Sequence, residues 1–329
     1  MNKRMAWAWL AGACLAGACL AGPGCAEKKV DKFQPLEDVP YEIVDWNYGQ
    51  AKGRKVISAN YEIHTTVGDE RLLRALPQVM ESAFLHYQRL APFSTPPAER
   101  LAVYLFASRP EFDHFTRRFA GRQSDVLVQI RSGGYSMEGI TVAQYVSHAI
   151  TFPIMTHEGF HQYLHVCVNP RVPAWLNEGL AVLCEGQRWD EKGLRQFDPW
   201  FNPLRRNRLA QAIQQRQTFP LRELLRINAG HVIDKPGAWV DAYYGQVWAL
   251  LLFLQEGEGG RYAAGFRRLL ESLSRPDLED FARAAHVTSD SQDYNYGEAL
   301  FCAFISTDID AFAAEYERFI EQTIIMGRR

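Results

Sequence analysis

Two histidines four residues apart, with a glutamate beside the first, constrain this chain more than any other feature. In "THEGFHQYLH" (156–165), an α-helix sets His157 and His161 about 40° apart around its axis and one turn apart along it, so both imidazoles can converge on one ion. Glu158 lies beside that stripe, close enough to reach a metal-bound water without binding the metal. The competing reading is a helix that happens to carry histidines. Catalytic zinc takes three protein ligands and keeps one position open, so two histidines are insufficient. A third donor has to come from another element, and the fold has to pack that element against this helix. "VNPRVP" (168–173) stops the first helix at Asn169-Pro170, and Pro173 suits the first turn of a second, "AWLNEGLAVLCEG". Glu178 lies early on that helix, and a short hairpin between antiparallel helices can bring it beside both histidines.

"HEGFH" followed by "PAWLNEGLA" resembles the gluzincin zinc metallopeptidases of peptidase clan MA. It is most similar to the aminopeptidase-type branch, whose signature is HExxH followed by a helix containing NEG. The resemblance carries specific motifs over roughly residues 130–255. The strand–helix lead-in from residue 56 also resembles the peptidase-MA-like domains of exported bacterial proteins. By resemblance, His157, His161 and Glu178 are the ligands of one Zn2+ per chain, and Glu158 is the general base. Glu185, seven residues beyond Glu178, faces the same way, about 10 Å further along the helix, too far to share the ion. A carboxylate there can accept a ligand histidine's N–H, and Asn177 can do the same; the alternative for both is a polar helix face. His165 is about 12 Å from His157 along the helix and cannot complete the set. Cys167 and Cys184 would make a structural site of sulfur and nitrogen ligands.

The resemblance also implies a donor that stabilises the oxyanion of the tetrahedral intermediate. "DAYYGQVWALLLFL" (241–254) reads as a buried helix opening on two tyrosines. A tyrosine followed by a small residue and Gln matches the branch at Tyr244, with Tyr243 one place out; the alternative is a tyrosine that only covers the helix end. "GGYSMEGITV" (133–142) occupies the place of the branch's substrate-binding edge strand. Gly133, Gly134 and Tyr135 would then pair with an extended peptide through their backbone. "SMEG" lacks the final Asn of the branch's GxMEN motif, so aminopeptidase specificity is not implied.

The rest of the chain sets the frame. Its 329 residues are enough for a substantial core. A net charge of −2 provides no basic footprint for nucleic acid. "MNKR" and the apolar "MAWAWLAGACLAGACLAG" after it read as an export signal over 1–25, with an uncleaved anchor as the alternative. Cys25 is the candidate for lipidation, because polar "AEKKVDK" follows it, although "GPGC" lacks the usual Leu. Membrane contact is expected only through this segment, and the location is the cell envelope. Export permits disulfides, so Cys167 and Cys184 either pair or are small buried residues.

Residues 26–55 mix charge, Pro and Gly without periodicity and read as a tether. "KVISANYEIHTT" and "RLAVYLFAS" read as strands, and the stretch from Asp69 to about Pro92 as a helix. From about Ala149 onward the pattern is nearly all helical. A sheet-containing lobe over 56–148 followed by a helical lobe over 149–329 makes the fold class α+β. The expected function is zinc-dependent hydrolysis of a peptide or protein substrate. The rival is a non-catalytic envelope scaffold that retains a zincin-like fold, against which the intact Glu158 argues. The same water chemistry would also allow a non-peptide substrate.

Overall fold

A mixed six-stranded sheet forms first along the chain, in the order β1-β2-β3-β4-β6-β5. Its strands are β1 (Glu42–Tyr48), β2 (Ala51–Ile57), β3 (Tyr61–Thr65), β4 (Leu101–Phe106), β5 (Gly134–Met137) and β6 (Ile140–Gln144). The β3–β4 and β4–β6 pairs are parallel and the others antiparallel. The computed structural model describes residues 33–92, 95–130, 133–168, 171–191, 193–227, 237–286 and 294–327. The export signal and Cys25 lie outside the described residues. Among the described residues no helix is long and apolar enough to cross a membrane.

The parallel pairs require crossovers. Helix α1 (Glu70–Leu90), whose first turn Asp69 caps by accepting from the Arg71 and Leu72 N–H groups, connects β3 to β4. Helix α2 (Arg109–Phe119), closed by a Ser108–Glu111 capping box, and the single turn α3 (Ser124–Leu127) lie between β4 and β5. Side chains alternate across the sheet. Val103 and Leu105 of β4 join the main core with α1, whereas Tyr104 and Phe106 pack against Phe115 of α2 on the opposite face.

The remaining helices cover the first face and extend beyond it. They are α4 (His148–Tyr163), α5 (Ala174–Leu183), α6 (Pro203–Gln214), α7 (Leu221–Arg226), α8 (Gly237–Glu256), α9 (Ala263–Ser272), α10 (Leu278–His286), α11 (Tyr296–Phe304) and α12 (Ile309–Phe319). A mixed sheet followed by a mostly helical half is an α+β architecture.

Three expectations are corrected. The tether expected over 26–55 contains β1 and most of β2, paired in register from Glu42↔Ile57 to Tyr48↔Ala51. Near its turn only one face of this hairpin is covered, by the Trp46 and Tyr48 rings against Tyr104 and Phe106, so the exposed Lys52 and Arg54 hide the strand pattern, while Val56 and Ile43 further along reach the main core. Second, the helical half contains an antiparallel hairpin, β7 (Gln187–Asp190) with β8 (Gly193–Phe197). It is fastened to α4 by Trp189 stacked on Phe152 and by Gln187 Nε2 donating to Thr156 Oγ1 at 2.8 Å. Third, residues 56–148 and 149–329 are not separate lobes, because one apolar core runs from Phe33 through α1, α4, α5 and α8 to Ile324.

Candidate metal centre

Helix α4 buries Phe152, Met155, Phe160 and Tyr163 in the core and leaves its histidine stripe facing α5. Two glycines allow the packing. A Cβ on Gly159 would lie 2.7 Å from the Tyr87 hydroxyl of α1, and one on Gly179 would lie 2.7 Å from Leu251 Cγ of α8. The last turn of α4 passes into a π-helical turn, Leu164–Val168, and α5 then runs back beside it. His165 falls in that turn and is exposed. Cys167 and Cys184 are free, buried thiols.

The geometry brings three donor atoms together. His157 Nε2 and His161 Nε2 are 3.2 Å apart, and Glu178 Oε2 is 3.4 Å from each. For ligand bonds of 2.0–2.1 Å at the tetrahedral angle, donor atoms are separated by about 3.3 Å, so the triangle has the size zinc requires. Among the described residues these are the one set of three His, Cys, Asp or Glu donors close enough to share an ion.

Hydrogen bonds behind the two histidines fix their rings. His157 Nδ1 lies 2.8 Å from Glu185 Oε1, and His161 Nδ1 lies 2.8 Å from Asn177 Oδ1. Carboxylate and amide oxygens accept, so both Nδ1 atoms carry protons and a neutral ring presents a bare Nε2. Two bare lone pairs 3.2 Å apart repel unless a proton or a cation lies between them. Glu178 Oε2 is buried and accepts no well-aligned hydrogen bond, which is costly for a carboxylate oxygen. Helix α5 ends at Leu183, so Glu185 reaches His157 from the segment after the helix rather than from further along it.

Charge gives the same requirement. Glu158, Glu178 and Glu185 crowd the two imidazoles, and Arg205 pairs with Glu185 at 2.6 Å. With neutral histidines, three carboxylates against one guanidinium leave two negative charges. In the chain alone the imidazoles answer them. Burial lowers the His157 pKa, but the adjacent Glu178 carboxylate, the hydrogen bond to Glu185 and the surrounding carboxylate charges outweigh it and raise it to about 10. His161 moves in the same direction, against burial, mainly through Glu178. A divalent cation would supply the same charge as two imidazolium protons.

Glu158 differs from its neighbours. Its half-buried carboxylate makes no hydrogen bond among the described residues, and burial raises its pKa, with Glu178 and Glu185 adding and the imidazoles opposing. Strand β5, at the end of the sheet, passes directly beside it: a Cβ on Gly134 would lie 3.2 Å from Glu158 Cγ and 2.7 Å from the Val142 carbonyl. Gly133 precedes that strand. The Tyr135 side chain points the other way, against Phe112, with its hydroxyl 3.1 Å from Thr116 Oγ1. Strand alternation thus removes its ring from the metal face and leaves only its backbone there.

Tyr244 is placed edge-on to His157, ring centroids 5.9 Å apart, and its hydroxyl makes no hydrogen bond among the described residues. The charge of Glu178, then burial, raises its pKa well above the ordinary phenol value, so it stays a donor. Tyr243 is buried on the other side against Phe219, with its hydroxyl unpartnered. Two contributors have no counterpart in the sequence reading, Asn202 and Arg205, which bind Glu185 from α6. "NP" at 202–203 signals a helix start, but nothing local tells which carboxylate that turn meets. No family model matches the chain, and no curated protein does.

Proposed function

We propose that the chain is a zinc-dependent metallopeptidase of gluzincin type. The observation that carries this reading is the convergence of His157 Nε2, His161 Nε2 and Glu178 Oε2 beside a glutamate, Glu158, whose carboxylate is outside that donor set and makes no hydrogen bond among the described residues. A structural site has no use for such a glutamate. When bound, zinc supplies Lewis acidity and activates water near neutral pH. The chain's own residues do the rest. Glu185 and Asn177 hold the Nδ1 protons and so aim both Nε2 lone pairs inward. Glu158 accepts the proton of the attacking water and passes it to the leaving amine. The Tyr244 hydroxyl donates to the oxyanion that forms. The terminal strand β5, alongside Glu158, offers its backbone to an extended peptide. Export to the cell envelope belongs to the same proposal and is supported by the sequence of residues 1–25 alone.

The test is metal analysis of purified protein together with cleavage of a broad peptide library. About one zinc per chain is expected, lost in His157→Ala and Glu178→Ala and kept in His165→Ala. A wild-type protein that holds zinc yet cleaves nothing in the library would favour the scaffold reading.

A further inference from the structure

Helix α6 reaches the metal centre through its first turn. Asn202 caps it, Oδ1 accepting from the Arg205 N–H at 3.1 Å, while its Nδ2 donates to Glu185 Oε2 at 2.8 Å. Arg205 grips the same carboxylate with two prongs, Nε to Oε2 at 2.9 Å and Nη2 to Oε1 at 2.6 Å. Glu185 Oε1 is also the atom bonded to His157 Nδ1. The guanidinium lies over the Tyr244 ring, 4.7 Å from its centroid, and that ring is edge-on to His157. The close approach of α6 depends on Gly245, where a Cβ would lie 2.9 Å from Leu209 Cβ and 3.3 Å from the Arg205 carbonyl. Arg205 therefore touches both groups that flank His157 while ligating nothing itself.

We infer that Arg205 is a positioning residue for the metal centre, raising zinc affinity by clamping Glu185 against His157; the inference rests on the metallopeptidase reading above. The physical reason is that Glu185 is buried. Without the guanidinium it keeps only Asn202 Nδ2 and His157 Nδ1 as partners, its plane is no longer fixed, and it no longer holds the His157 ring with Nε2 facing Glu178. A two-pronged guanidinium fixes the plane of a carboxylate, which a lysine ammonium cannot do. The Tyr244 ring, held between Arg205 and His157, limits the same imidazole from its other side.

Zinc affinity of the folded apoprotein, measured by competition with a chromophoric chelator, tests this without reference to hydrolysis. Arg205→Met is expected to weaken zinc about 10–100-fold, the usual effect of losing a ligand histidine's outer partner. Arg205→Lys, which keeps the charge and loses the fork, is expected to fall between the two. Because Arg205 acts through Glu185, adding Arg205→Met to Glu185→Gln should cost less than about threefold beyond Glu185→Gln alone. A simple packing role would make the two losses multiply, and that result overturns the inference. So does wild-type affinity in either Arg205 variant, which would leave the metal site itself standing. Failure of the wild type to bind zinc, with His161→Ala as the reference for an empty site, removes both the inference and its parent reading. If Arg205→Met does not fold, Arg205→Lys decides, with affinity within about threefold of wild type counting against the inference.

Discussion

Two buried carboxylates in this molecule show opposite ways of surviving burial. Glu298, at the start of α11, accepts from Arg222 and Arg226 of α7, so each of its oxygens has a cationic partner. Glu178, at the candidate metal centre, has one oxygen that no hydrogen bond satisfies. Glu81 of α1 repeats the first pattern with neutral donors, accepting from Ser58 Oγ, the Asn60 N–H and Asn60 Nδ2 at 2.6–2.7 Å. The saturated carboxylates join elements that are distant in sequence and have no capacity left for a ligand. Glu158 and Glu178 keep theirs. The contrast separates groups that hold the fold from groups that hold something else, and it can be broken by experiment.

The largest effect is expected at Glu158. Glu158→Gln should fold and bind zinc as the wild type does, while turnover of any identified peptide falls about 10²–10⁴-fold, because an amide cannot accept the proton. Wild-type turnover would remove it as the base. The exchange of roles between Glu178 and Glu298 comes next. Glu298→Gln should lower unfolding free energy by about 2–4 kcal/mol in denaturant titrations, at the lower end of what breaking a buried pair costs because both arginines are partly exposed. Its zinc affinity should be unchanged. Glu178→Gln should do the reverse, emptying the site while costing less stability than Glu298→Gln when both variants are compared metal-free with the apoprotein. Equal effects of both substitutions on both readouts would dissolve the distinction.

The tyrosine pair sharpens it at smaller scale. Tyr244→Phe should slow hydrolysis about a hundredfold at unchanged zinc content and thermal stability. Tyr243→Phe removes a buried hydroxyl that has no partner, so the protein should be equally stable or more stable by about 1 kcal/mol, with a mild effect on rate. The opposite ranking in rate would transfer the donor role to Tyr243.

His86 gives the smallest expected effect and shows that lack of a partner does not by itself make a site. Both of its ring nitrogens are buried and unbonded, the ring is stacked between Phe33 and Phe197, and among the described residues His86 belongs to no set of three donors that could share an ion. Burial, helped by the charge of Arg89, pushes its pKa down to about 3. The folded value lies below the unfolded one, so stability from this group is complete above the unfolded pKa of about 6.5 and is lost as pH falls. Between pH 7.5 and 5.5 the loss should be about 1.4 kcal/mol. His86→Phe should remove that share of the slope, and an unchanged acid profile would show that His86 titrates normally.

Local patterns made the centre of the site legible. Four-residue spacing alone puts His157 and His161 on one helix face, Asp69 and Ser108 are readable as helix caps, and Pro173 marks the start of α5. The β1–β2 hairpin was not legible, because near its turn only the face against the β4 rings is covered and Lys52 and Arg54 stand exposed on the other. For the Tyr135 ring, strand alternation decides its face, and the register of β5 on β6 sets which residues alternate inward.

Sequence by itself therefore determined what each element presents: the histidine stripe of α4, the NEG turn of α5 and the tyrosine pair of α8. Each of these is a matter of helical period and capping within a few residues. Only the tertiary structure decided which partners complete them. Glu185 meets Arg205 20 residues later and His157 28 residues earlier, and Gly134 meets Glu158 across the end of the sheet. Such pairs are selected by desolvation and close packing once the helices have docked, and a buried carboxylate draws in whichever cation the folded chain can bring to it.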